Sequence, residues 1–135
     1  MDAPKTPAGA GGDEVRLVLP ASPDFLRLAR VTASGLASRL GFTVDEVEDL
    51  RLAIDELCFA LTGSEPPEGH VELRYRLLEG GLEVTGVGHF NGTASLPLTL
   101  TDLSERILGA LVDEHELSAQ DGEPRFRLLK HRSRA

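Results

Sequence analysis

The chain of 135 residues contains one cysteine, one methionine, one tyrosine, five phenylalanines and no tryptophan. A single thiol, Cys58, excludes an intrachain disulfide framework and any cysteine-based zinc cluster. So few aromatics leave Leu, Val and Ala to build the core. No apolar run approaches the roughly 20 residues of a bilayer-spanning helix, and the N-terminus lacks the charged-then-apolar pattern of a secretory signal. The expectation is a cytoplasmic protein with no membrane partner. Positive charge is scarce as well: 14 Lys plus Arg stand against 22 Asp plus Glu, for a formal net charge of -8. That balance argues against general affinity for nucleic acid or an anionic membrane.

The length suits one domain with one core. Residues 1–13, rich in Pro, Gly and Ala, bury too little to offset ordering and read as a disordered leader. The domain then spans 14–132, with a tail at 133–135. Glu14 to Pro20 alternates as a strand. Ser22-Pro23 opens a helix that runs to Gly41, with Leu26, Ala29, Ala33, Leu36 and Leu40 as its inner stripe and Arg27, Arg30, Ser34 and Ser38 as its polar one. Thr43 and Glu46 form a capping box for a second helix ending near Gly63.

His70–Leu78 and Leu82–Gly88 alternate around a turn at Glu79-Gly80-Gly81 and predict a β-hairpin. His89 to Leu100 reads as an irregular connection. A third helix is expected from Thr101 or Asp102 through about Leu117, then a turn at Asp121-Gly122 and a last strand, Pro124 to His131. The order β, α, α, β, β, α, β predicts an α+β two-layer sandwich, helices on one face of a mixed, mostly antiparallel sheet.

Chemistry concentrates on the second helix. With Val47 at zero and about 100° per residue, Leu50, Ile54, Leu57, Cys58 and Leu61 form the core stripe. Leu52 and Phe59 fall off it, and Glu56 lies between them on nearly the same side. Either Glu56 reaches solvent at the edge of a covering loop, or it sits in a pocket lined by Leu52 and Phe59, where desolvation would raise its pKa for general-base work. Spacing leaves both open. The acidic run Asp45, Glu46, Glu48 and Asp49 suits the positive end of the helix dipole. His70, His89, His115 and His131 lack ligand spacing, so no metal site is expected. Arg125, Arg127, Lys130, Arg132 and Arg134 alternate along a terminal strand and read as a solvated sheet face rather than a nucleic-acid patch.

Ala29-Arg30-Val31-Thr32, Gly41 to Val44, and Asp49-Leu50-Arg51-Leu52-Ala53-Ile54-Asp55-Glu56-Leu57-Cys58 together resemble the RsbW/SpoIIAB anti-sigma factors, the last run looking most like their actinobacterial UsfX branch. These are small serine kinases of the histidine-kinase-like (GHKL, Bergerat) ATPase fold. The resemblance covers residues 14–132 and implies ATP and Mg²⁺ as cofactors. In the family's E-x-x-x-N box the Glu polarises the attacking hydroxyl and the Asn holds magnesium, as phosphoryl transfer requires. Glu56 matches the Glu and is the candidate catalytic base, whereas the Asn position is Ala60. The D-x-G-x-G box, whose Asp accepts the adenine amino group, corresponds to Val84, Gly86 and Gly88. Between Gly88 and Asp102 there is one glycine, Gly92, where the family has a glycine-rich phosphate lid.

Leu52, Glu56, Phe59, Ala60, Val84, Gly86 and Gly88 are therefore expected to form a degenerate nucleotide pocket. One charged hydrogen bond contributes about 1.5–3 kcal/mol, so three losses would remove most of the roughly 8 kcal/mol of micromolar binding. What survives is protein recognition. Arg27, Arg30 and Ser34 fall on the surface with which the family grips a sigma factor or its STAS-domain anti-anti-sigma competitor, and the resemblance implies a homodimer. An active serine kinase and a non-catalytic scaffold or sensory module stay open as alternatives.

Overall fold

A computed structural model describes residues 13–91 and 100–133. The proposed leader, apart from Asp13, and most of the connection before the third helix lie outside those residues. The elements are β1 (Glu14–Pro20), α1 (Pro23–Arg39), α2 (Val44–Thr62), β2 (Gly69–Leu78), β3 (Gly81–Phe90), α3 (Asp102–Leu111), β4 (Glu114–Gln120) and β5 (Glu123–His131). The five strands form one sheet in the order β1-β2-β3-β5-β4, every neighbouring pair antiparallel. No helix among the described residues is long and apolar enough to cross a membrane.

The sheet alternates as expected. Val71, Leu73 and Tyr75 of β2, Leu82 and Val84 of β3, and Phe126 and Leu128 of β5 are buried in one core with Leu26, Ala29 and Ala33 of α1 and Leu50, Ile54 and Leu57 of α2. Alanines at the α1 contact let that helix approach closely, and the buried Tyr75 hydroxyl donates 2.8 Å to the Ala29 carbonyl. The two helices are joined by a Schellman turn, in which Phe42 N–H reaches Ala37 O and Gly41 N–H reaches Ser38 O. Gly41 takes φ 87° there, as that turn requires of its residue beyond the cap.

Two expectations are corrected. The third helix stops at Leu111 rather than near Leu117, and Glu114–Gln120 is a strand paired with β5. Asp121 and Gly122 both have positive φ, 53° and 78°, the geometry of a two-residue hairpin turn, and such a turn needs a strand on each side. Glu114, Glu116 and Ser118 alternate against His115 and Leu117, which is period two. Lys130 also does not join the solvated sheet face. It is buried on the helix side, and its Nζ donates 2.6 Å to the Leu111 carbonyl, a cation satisfying the C-terminal end of α3.

The capping box forms as expected. Thr43 Oγ1 accepts from Glu46 N–H and Glu46 Oε1 accepts from Thr43 N–H at 2.8 Å. Glu46 Oε2 also accepts the Ser133 N–H, so the start of the tail is tied to the start of α2. The Thr43 amide, helped by Ser133, holds the Glu46 carboxyl down from 4.5 to about 2. A depressed carboxyl stabilises the fold above its unfolded pKa and loses that contribution as pH falls toward the folded value. Urea unfolding from pH 5 to 2 should therefore show a decline in stability that Glu46→Gln, which accepts hydrogen bonds without titrating, makes shallower. Tyr75→Phe should lower unfolding free energy by about 1 kcal/mol, read as a reduced urea midpoint at unchanged slope.

Candidate functional site

Burial of Leu50, Ala53, Ile54, Leu57, Cys58 and Leu61 fixes the rotation of α2 and turns Leu52, Asp55, Glu56 and Phe59 away from the sheet. Leu52 and Phe59 do not close a pocket around Glu56. Both are more than half exposed, at 56% and 59%. What reaches the half-buried carboxylate comes from α3: Ser104 Oγ donates 2.5 Å to Glu56 Oε2. Thr101, the N-cap of α3, accepts from the Ser104 amide at 3.0 Å, and its own hydroxyl donates 3.1 Å to Ser104 Oγ. Thr101, Ser104 and Glu56 thus form one chain of hydrogen bonds across the α2–α3 contact. A helix N-cap followed three residues later by serine was its only trace in the sequence, and that spacing also serves capping alone.

The β3 positions lie beneath or beside aromatic rings. Val84 is fully buried, between Tyr75 and Leu128 in register. A methyl group placed on Gly86 would lie 2.4 Å from the Phe126 ring, and one on Gly88 would lie 2.5 Å from the Phe90 ring. A side chain at Gly86 would force the buried Phe126 ring to shift, and one at Gly88 the half-buried Phe90 ring. The residues present offer a MgATP complex little: Ala60 and Val84 have no side-chain oxygen, and the space above the two glycines is filled.

Phe59 instead joins the helix–helix groove. A cleft of about 290 Å³ is lined by Pro23, Leu26, Arg27, Arg30, Asp55 and Phe59, together with the start of the loop after α2. Arg30 is not simply solvent-facing. Its guanidinium donates 2.8 Å to Asp55 Oδ2 with its side chain 34% exposed, a partner that reading α1 alone missed. Arg27 remains exposed, 3.9 Å from Asp24, and Ser34 Oγ donates back to the Arg30 carbonyl. Arg27, Arg30 and Phe59 thus present two cations and an aromatic face side by side. Cys58 lies behind them, where burial and the nearby Asp55 charge push its thiol up to about 12.

No family model matches the sequence. Among curated proteins, the serine-protein kinase RsbW of Bacillus pumilus is 31% identical over 131 aligned residues, spanning 82% of this chain and 81% of that protein. The chain belongs to the RsbW family. RsbW of Bacillus subtilis is 39% identical over 75 residues, covering 53% of this chain and 47% of that protein, so that match spans about half of the relative. The RsbU and RsbW domains of Rv1364c from Mycobacterium tuberculosis, solved as a crystal structure, superpose with a TM-score of 0.66 at 17% identity. That superposition covers 90% of this chain and 32% of the other, and it supports the expected fold. Glu56 stands on α2, tied to a serine of its own chain.

Ser104→Ala should release the first turn of α3 from α2. Amide hydrogen exchange is expected to rise at residues 104–106, with a stability loss of about 1.5–3 kcal/mol for a hydrogen bond to a charged group.

Proposed function

We propose that this RsbW-family chain is an anti-sigma regulatory protein that sequesters a sigma factor and is counteracted by a STAS-domain anti-anti-sigma factor, with ATP binding and kinase activity weakened or lost. The observation that carries the loss of activity is the Ser104 hydroxyl on Glu56. A base that must accept a hydrogen bond, and then a proton, from a substrate hydroxyl already has one carboxylate oxygen holding a hydroxyl of its own chain. Phe126 over Gly86 and Ala60 in place of a magnesium ligand weigh in the same direction. Control then works by mass action, since two protein ligands compete for one surface.

The α1–α2 cleft is the partner surface in this reading. Arg27 and Arg30 supply planar forks suited to an acidic partner side chain, and Phe59 supplies apolar area beside them. The net charge of -8 suits basic, DNA-contacting parts of a sigma factor through long-range attraction, and the protein itself needs no contact with nucleic acid. Phe25, Leu28 and Val31 form an exposed apolar stripe on another face of α1, which supports the homodimer. A cytoplasmic, partner-switching role in a stress response fits this set. A working serine kinase is the second reading, favoured by the retained Glu56 and by the serine-protein kinase relatives.

Calorimetry with MgATP tests the first reading: no saturable heat is expected at micromolar nucleotide, and micromolar binding with phosphate transfer to a STAS protein would establish the second. Arg30→Ala should weaken capture of the partner about fivefold or more while shifting stability by no more than about 1 kcal/mol, because its partner Asp55 is a surface one. Equal affinity of mutant and wild type would remove the cleft from the proposal.

A further inference from the structure

The face of the sheet opposite the helices carries a cluster of arginines apart from the α1–α2 cleft. Outward positions there are Arg74 on β2, Thr85 and Val87 on β3, and Arg125 and Arg127 on β5. In register, Arg74 and Arg127 stand on either side of Thr85, and Arg125 stands beside Val87. With neighbouring strands about 4.8 Å apart, the arginine stems rise on both sides of β3 and enclose a dish of about 430 Å³, which Ser118 of β4 also lines. Ligand sites commonly begin at about 300 Å³.

Donors in this dish outnumber free acceptors. Arg127 is committed, with Nε 2.8 Å from Glu83 and a terminal nitrogen 2.9 Å from Glu114 and 3.5 Å from Glu116. Arg74 has, among the described residues, one carboxylate partner, Glu72 at 3.4 Å. Arg125 lies 3.7 Å from Glu123, beyond hydrogen-bonding reach, and its Nε is the one buried side-chain polar atom among the described residues with no hydrogen-bond partner. Two carboxylates line the dish: Glu116, mostly exposed at its rim with, among the described residues, only Arg127 near it at 3.5 Å, and Glu72, which is the more heavily engaged. Glu72 also accepts from Arg16 and from His89 Nε2, and His89 Nδ1 faces Glu123 at 2.7 Å. Two half-satisfied guanidinium groups therefore border one volume that Thr85 and Ser118 also line, while the one loosely held carboxylate, Glu116, sits at the rim beside Arg127 and not beside Arg74 or Arg125. A buried donor without a partner is costly, so Arg125 gains by turning its guanidinium toward a ligand oxygen in the dish.

We propose that the outer face of the sheet binds a small phosphorylated molecule in the dish between Arg74 and Arg125. A phosphoryl group fits better than a carboxylate because it presents three strong acceptor oxygens in a pyramid, against two in a plane. Two guanidinium forks approaching from opposite sides of β3, with hydroxyls below, match that arrangement. The site lies across the sheet from Glu56 and is independent of magnesium.

Pyrophosphate and citrate, titrated calorimetrically into the full-length chain in EDTA, test the assignment. Saturable pyrophosphate binding is expected, with Arg125→Gln and Arg74→Gln each weakening it about tenfold or more, the scale of one charged hydrogen bond. Arg125→Lys, which keeps charge and loses the fork, should fall between, and Arg51→Gln on the helix side should bind like wild type. Citrate is expected to bind more weakly. Absence of saturable binding, equal weakening by Arg51→Gln, or citrate binding as tight as pyrophosphate would each overturn the proposal. Thermal melts of the variants establish that they are folded, and Arg74→Gln carries the test if Arg125→Gln is not.

Discussion

The packing of α2 against the sheet is the constraint on which the rest of the molecule depends. Its stripe from Leu50 to Leu61 is buried against β3 and β5, so its rotation is set by hydrophobic area alone. Everything the helix offers elsewhere follows from that rotation. Asp55 is turned toward α1, where it meets Arg30, and Glu56 toward α3, where it meets Ser104. A single helix thus distributes two carboxylates, one residue apart, to two different neighbours. The stripe also explains why Leu52 and Phe59 remain exposed, since a helix pressed on a sheet cannot bury its far side without a third layer.

The two faces of the sheet have separated their chemistry. The helix side holds the apolar core and, among the described residues, one buried cation, Lys130, which caps the end of α3 and lies 3.9 Å from Asp49. The outer side holds arginines and glutamates in a cross-strand lattice, where Glu83 joins β3 to both β2 and β5 through Arg76 and Arg127. Such pairs individually contribute little, and a network that fixes several stems at once positions them better than it stabilises them.

Most of the fold was legible because it rests on local rules. The capping box at Thr43, the glycine stop at Gly41, the alternation in β2 and the apolar stripe of α2 each carry their signal within a few residues. The α3–β4 boundary was not legible in the same way. Glu114–Gln120 alternates with period two, but Leu117 and Ala119 are its only apolar members, so the demand of the Asp121-Gly122 turn for a partner strand is the clearer sign. The site was less legible still. Glu56 could be matched to a family box, but its partner Ser104 is 48 residues away, as Asp55 is 25 residues from Arg30. Contacts of that kind are products of packing, and spacing does not encode them. The glycines of β3 show the converse: Gly86 and Gly88 fit a nucleotide box in sequence, while in space Phe126 and Phe90 account for them.

The position of Cys58 has a consequence for how this molecule can be controlled. The thiolate is the form that reacts with oxidants and electrophiles, and a thiol held near 12 behind the α2 stripe supplies almost none of it at neutral pH. The only cysteine in the chain is therefore a poor target for peroxide and disulfide exchange while the fold is intact. Thiol-based redox control of this protein's output would fall to the molecules that bind it.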